Sequence, residues 1–310
     1  MAPLPPMTPR TTKSIFAAYE AARRSYEAIG INIGEIGNEC DRALWYSFRR
    51  ASPPEAIEGR KLRLFETGNI EETRILADLR AIGCEVYGEQ SKIRFVGGHV
   101  RGKIDALATG VPEAPVRVHL VECKSSNDKG FKELQRTGVA KAKPLHFGQC
   151  QMYMHGCSVE RALYVCVNKN DDDIYVERIP YDVTYCLRML ARASRIISAD
   201  DAPSRLHDEP KSKMAFECGF CNHKAACHEG AFARRHCRTC IHSTPVLTSE
   251  NACWDCAFHG KPLTLDEQAA GCENHLYLPD LVPGEQIDAT DDSVTYRLRN
   301  GDLWVNGASK

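Results

Sequence analysis

The chain contains no run of about 18 apolar residues, the length a membrane-spanning helix needs, so a membrane protein of that kind is not expected. Its opening, MAPLPPMTPR, lacks the positive start and apolar stretch of a secretory signal and reads as a proline-rich flexible arm over residues 1–12. A cytoplasmic protein is therefore expected. No GxxxxGK[ST] phosphate loop is present, so the chain carries no visible ATP motor. An excess of charge is missing too. Forty basic residues face forty-one acidic ones, so any contact with a polyanion must come from a local patch and not from a global field.

Cysteine is abundant and unevenly placed. Eight of the fifteen fall between Cys218 and Cys272, in paired CxxC spacings. Without an export signal a disulfide framework is not expected, and such pairs favour bound metal. Cys84, Cys150, Cys157, Cys166 and Cys186 stand singly in apolar patterns and read as small buried side chains.

Hydrophobic periodicity predicts helices over 13–28, from about Asn38, and over 61–82, the last with a buried stripe of Ile70, Ile75, Leu76 and Leu79. Glu71 and Glu72 are expected in its early turns, where one could face a site and where acidic residues also serve the helix dipole. Strands are expected over 84–96, from His99 to Ala108, from Val116 to Cys123, over 161–168 and over 174–179. Further helices are expected from Pro144 and over 182–197. The order predicts an α/β fold with a mixed central sheet flanked by helices. The tail from 285 to 310 reads as a small strand-like appendage.

The turn-rich insert Gly110-Val111-Pro112-Glu113-Ala114-Pro115 separates two of these strands, so Asp105 is expected beside Glu122. Strand alternation points Glu122 and Lys124 to one face and Cys123 to the other. Two adjacent carboxylates repel unless one is protonated or a hard divalent cation lies between them. A nearby lysine suits an activated water or charge developing on a phosphate. A surface strand pair with alternating charge would show the same residues. Gln149 and Tyr153, four apart, share one helix face. Lys129, Lys132, Arg136, Lys141 and Lys143 form the most basic local segment, readable as a phosphate-facing surface or as a solvated helix and loop.

Four short motifs in order carry a resemblance. Gly68 is followed by Glu72; then come Gly102-Lys103-Ile104-Asp105, Glu122-Cys123-Lys124 and Gln149-Cys150-Gln151-Met152-Tyr153. Over roughly residues 30–230 the chain resembles the PD-(D/E)XK nuclease superfamily, in its RecB-like exonuclease branch and especially the phage-encoded forms. The resemblance implies a restriction-endonuclease-like core and a Mg²⁺- or Mn²⁺-dependent DNA exonuclease of phage recombination, replication or processing, working in the host cytoplasm. A nicking or structure-specific endonuclease and an inactive DNA-binding protein are the alternatives. It implies Asp105, Glu122 and the Cys123 carbonyl as metal ligands and Glu72 as holder of a second ion or water, with Glu71 its rival. Lys124 would orient the attacking water, and Gln149 and Tyr153 would position the strand. A recombinase, a single-strand-binding protein or a helicase is the implied kind of partner.

Cys40 with Cys218-x-x-Cys221 and Cys227 is similar to the iron–sulfur members of this branch, where one early and three late cysteines hold a 4Fe–4S cluster. Four-thiolate zinc is the alternative. The later group resembles small zinc-binding extensions, with Cys237, Cys240, Cys256 and Cys272 as the expected ligands, His275 as the rival of Cys272, Cys253 as the spare and His259 nearby. The expected organisation is an arm (1–12), a nuclease domain (13–232), a zinc module (233–284) and the appendage (285–310).

Overall fold

A computed structural model describes residues 10–23 and 29–307. The first helix, α1 (Arg10–Ala22), begins inside the stretch expected to be a flexible arm. After Pro9 no proline or glycine interrupts the segment, and its alanines favour a helix. The far end of the expected helix, residues 24–28, lies outside the described residues. β1 (Ile31–Asn32) leads to α2 (Asp41–Arg49) and then to α3 (Gly59–Ala81). α1 lies along α3, where Glu20 accepts a 2.6 Å hydrogen bond from the Gly59 amide.

The strands expected over 84–96 are β2 (Glu85–Tyr87) and β3 (Lys92–Phe95). The expected strand from His99 to Ala108 breaks at Ile104-Asp105 into β4 (Val100–Lys103) and β5 (Ala106–Thr109). β4 joins a small sheet of order β1-β4-β3, and β5 joins the central one. Next come β6 (His119–Ser126), helices α4 (Asp128–Thr137), α5 (Val139–Ala142) and α6 (Pro144–Cys157), β7 (Arg161–Asn168), β8 (Ile174–Pro180) and α7 (Val183–Ser198). β6 begins later than Val116, which is 89% exposed on the preceding turn.

The central sheet has the order β2-β5-β6-β7-β8, with β6 and β7 parallel and the other neighbours antiparallel. This is the mixed α/β sheet expected. A parallel pair needs a long crossover, and α4, α5 and α6 supply it. β6 and β7 are covered on both faces, which explains their nearly continuous apolar sequences. On one face Ile75, Leu76 and Leu79 of α3 pack with Val121, Cys123, Leu163 and Val165. On the other, Leu120, Tyr164 and Cys166 meet α2, α6 and α7. Ile70 is not in the α3 stripe; it is exposed. Five residues before Ile75, it stands about 140° around the helix.

Two short helices, α8 (Phe216–Gly219) and α9 (Lys224–His228), follow α7. A three-stranded sheet comes next: β9 (Ser243–Pro245), β10 (Trp254–Cys256) and β11 (Lys261–Leu263), with α10 (Leu265–Ala270) after it. The tail is an antiparallel meander of β12 (Gly284–Ala289), β13 (Ser293–Leu298) and β14 (Leu303–Gly307). The cysteine-rich segment shares the main core. Trp254 is fully buried, stacked on Phe48 with ring centroids 5.1 Å apart. The guanidinium groups of Arg49 and Arg238 lie 5.3 and 5.2 Å from its ring centroid. Among the described residues no helix is long and apolar enough to cross a membrane.

Candidate metal centre and cysteine clusters

β5 pairs with β6 only as far as Ala106 opposite Val121. One step further the ladder stops, and the Cys123 amide donates instead to Asp105 Oδ2 at 2.7 Å. The break between β4 and β5 thus delivers Asp105 to the gap in the sheet. Glu122 and Lys124 point to the α6 side of β6 and are hydrogen-bonded to each other through Glu122 Oε1 and Lys124 Nζ. Glu122 is fully buried, and its Oε2 has no hydrogen-bond partner among the described residues. Such an atom bears the full cost of lost hydration.

The electrostatics follow from this crowding. Burial pushes the Glu122 carboxyl up to about 7 against the pull of Lys124, and Asp105 and Glu72 raise it further. Burial also raises Asp105, opposed by Lys124 and by the Cys123 amide. Lys124 is desolvated, but Glu122 and Asp105 outweigh that and hold it above the ordinary lysine value. Cys123 faces α3, where burial and then the neighbouring carboxylates keep it a thiol. Its side chain is no metal ligand in that form.

Glu72 completes the acidic group from α3. It lies well inside the helix, not in an early turn, because α3 starts at Gly59. Its Oε1 accepts from Gln90 Nε2 at 2.9 Å, and burial followed by the Asp105 charge raises its carboxyl. Glu71 turns elsewhere, towards Arg74 at 3.7 Å. The Tyr153 hydroxyl is pushed up to about 12 by burial and then by the Glu122 charge, with the nearby Gln149 side chain and Lys103 backbone offsetting part of the rise. The fit around that hydroxyl explains Gly102: a Cβ there would lie 2.4 Å from it. Glu72, Asp105, Glu122, Lys124 and Tyr153 therefore gather about the middle of β6, while Glu71 and the Cys123 side chain do not join them.

Sequence reasoning missed two neighbours. Gln90 had no local signal. His146 did, since it precedes Gln149 and Tyr153 by three and seven residues on one helix face. Its Nδ1 lies 2.8 Å from the Tyr164 hydroxyl, and burial, then Lys124 and Lys143, push it down to about 3, so it is neutral. The basic segment is largely a solvated helix: Lys132 pairs with Asp128 and Arg136 with Glu133 on exposed α4.

All fifteen cysteines are free thiols. Cys40 is the N-cap of α2, its sulfur accepting from the Ala43 amide at 3.4 Å. It lines one cavity of about 280 Å³ with Cys218 and Cys221. Burial first, then Cys221, Cys40 and Cys227, raises Cys218. Four thiols far apart in sequence thus sense one another. Ser47 and Ser52 clamp His223 between them at 2.9 Å each, fixing the loop that carries Cys221.

In the second group, burial and then Cys240, Cys272 and Cys256 push Cys237 up to about 11. Burial raises Cys240, opposed by the nearby His242 and Leu276 backbone. Cys237, Cys240, Cys256, Cys272 and His275 line one cavity of about 180 Å³, with His259 at its rim. His275 Nε2 already bonds the Thr239 hydroxyl at 3.2 Å. Cys253 turns to the Ser249 hydroxyl, 3.2 Å away. Among the described residues, no three His, Cys, Asp or Glu side chains stand arranged to hold a metal ion without moving. In both cysteine groups the donor types fit a metal, and the thiols would have to draw together to bind it.

No protein-family model matches the chain, and no curated protein does. Several solved structures are similar to it, three of which follow. One is SSO0001, at 17% identity and a TM-score of 0.42, over 71% of this chain and 97% of that one. Another is LHK-Exo in complex with dAMP, at 15% identity and 0.42, over 59% and 90%; LHK-Exo is an alkaline exonuclease from Laribacter hongkongensis. The third is a phage-related exonuclease from Haemophilus somnus 129PT, at 14% identity and 0.39, over 55% and 94%.

Proposed function

We propose that this chain is a Mg²⁺- or Mn²⁺-dependent deoxyribonuclease, acting as an exonuclease in phage DNA recombination, replication or processing. The observation that carries the reading is the buried Glu122 Oε2, which has no partner and lies in a group with Asp105, Glu72 and Lys124. A hard cation satisfies that oxygen and offsets the repulsion of the carboxylates. Asp105, Glu122 and the Cys123 carbonyl would hold it. When bound, it supplies a polarised phosphate and a water of lowered pKa.

The chain's own residues do the rest. Glu72, steadied by Gln90, would hold a second ion or the attacking water. Lys124 is an ammonium group at neutral pH, so it donates to charge building on the phosphate and takes no proton in the free protein. Tyr153, its hydroxyl packed against Gly102, would position the strand together with Gln149.

Cys40, Cys218, Cys221 and Cys227 would carry a 4Fe–4S cluster that fastens α2 to the end of the domain, with zinc as the chemical alternative. Cys237, Cys240, Cys256 and Cys272 would carry zinc. A recombinase, a single-strand-binding protein or a helicase is the kind of partner such an enzyme serves.

The experiment is cleavage of linear and circular DNA by the wild type, Asp105→Asn, Glu122→Gln and Lys124→Gln, with and without Mg²⁺. Metal-dependent loss of linear DNA by the wild type alone supports the reading. Equal activity in all four sinks it, and rapid cutting of the closed circle replaces exonuclease by endonuclease.

A further inference from the structure

The β3–β4 hairpin carries four basic residues, and the ladder sets them against one another. Lys92 pairs across the strands with Lys103, and Arg94 with Arg101. Residues directly opposite share a face, and so do residues two apart, so all four stand on one face of the hairpin. Like charges directly opposite destabilise a strand pair. Nothing nearby relieves them: among the described residues none of the four has a carboxylate partner. Arg94 reaches only the Glu250 carbonyl and the Asn251 side chain, at 3.5 and 3.4 Å. All four line one groove of about 590 Å³, which Gln149 and Tyr153 also line and no Asp or Glu does. The contrast with Lys132 and Arg136 on α4, which have carboxylates of their own, is plain.

The groove leads to the acidic group. Lys103 is two residues before Asp105, about 7 Å along an extended chain. Between Arg101 and Lys103, the Gly102 backbone packs against the Tyr153 hydroxyl, which a Cβ there would meet at 2.4 Å. A run of unpaired cations ending at a carboxylate cluster suits a polyanion whose last unit is delivered to the cation site.

We infer that the Lys92, Arg94, Arg101 and Lys103 face is the track that holds the phosphodiester backbone of the substrate strand beside the scissile phosphate. The inference rests on the nuclease reading for its direction, since that reading supplies the site the track leads to. The track itself requires only that the chain bind DNA here. The residues act as phosphate contacts that position the strand; they read no bases.

The test is salt-dependent binding of fluorescein-labelled oligothymidylate, followed by anisotropy in the presence of chelator so that nothing is cut. The variants are Lys92→Gln, Arg94→Gln, Arg101→Gln and Lys103→Gln combined, and Lys132→Gln with Arg136→Gln on α4 as the comparison. Each phosphate contact on a single strand contributes about 0.7 to the slope of log affinity against log salt. Four contacts contribute about 2.8, so between 50 and 200 mM salt the wild type should lose roughly 50-fold more affinity than the quadruple variant. The α4 variant should keep the wild-type slope. Relief of the like-charge pairs should also raise the thermal midpoint of the quadruple variant, which separates lost binding from lost folding. An unchanged slope in the folded quadruple variant overturns the track, and so does an equal fall in both variants. Lys92→Gln with Lys103→Gln alone, expected to lose half the slope, decides the matter if the quadruple variant does not fold. Failure of the nuclease reading looks different: the wild type with Mg²⁺ leaves DNA intact while the slope still falls as expected.

Discussion

Replacing Glu122 by Gln removes a carboxyl that the fold buries beside Lys124 and two further carboxyls, and the consequence is a change in how stability depends on pH. Burial holds this group at about 7 in the folded protein, against 4.5 ordinarily. At 1.36 kcal/mol per unit, ionising it in place costs about 3 kcal/mol of stability. Because the folded value is the higher one, the native state binds more protons than the unfolded state between pH 4.5 and 7. The cost is absent below 4.5, grows across that window and is complete above 7. Buried histidines push the other way. His99, His223 and His236 are each lowered to about 4, first by burial, so they add stability as pH rises towards 6.5. The informative quantity is therefore the difference between wild type and Glu122→Gln, in which those histidines cancel. Urea unfolding at pH 5 and pH 8, with chelator present, should show the wild type losing about 2.5 kcal/mol relative to the variant. Divalent cation should restore most of that to the wild type and little to the variant. A flat difference between pH 5 and 8 would refute the reasoning, because the carboxyl would then titrate as though exposed.

Gly102→Ala places a Cβ 2.4 Å from the Tyr153 hydroxyl and must displace that ring, so turnover of linear DNA should fall about 100-fold with little change in thermal midpoint. Trp254→Ala empties the space between Phe48, Arg49 and Arg238, and should cost about 3–5 kcal/mol in urea unfolding. Since the cysteine-rich segment shares the main core, that unfolding should remain one transition. Zinc counting should find one ion fewer in Cys256→Ser and no change in Cys253→Ser, whose thiol faces Ser249.

The sheet was legible because β6 and β7 are buried on both faces and so write their apolar character continuously into the sequence. The acidic group was legible because strand alternation places Glu122 and Lys124 together whatever the neighbouring strands do. The break at Ile104-Asp105 was not, since a single apolar-polar pattern runs through two strands that belong to different sheets. Ile70 was misplaced because a helix stripe counted by hydrophobicity alone ignores the angle between its members. Gln90 was silent: a glutamine in a turn gives no hint that a 23-residue helix will bring Glu72 above it. The cysteine groupings were legible from spacing, but the burial of Trp254 in the main core was not, because a tryptophan between two cysteines says nothing about which domain it enters.

The most direct measurement is a crystal structure of the protein grown with Mn²⁺ and read by anomalous scattering at the manganese edge. The expected result is a peak within bonding distance of both Asp105 and Glu122, with Glu122 Oε2 turned to the ion. A structure in which Mn²⁺ avoids this group, leaving Glu122 bonded to Lys124 alone, would contradict the claim that these carboxylates exist to hold a cation.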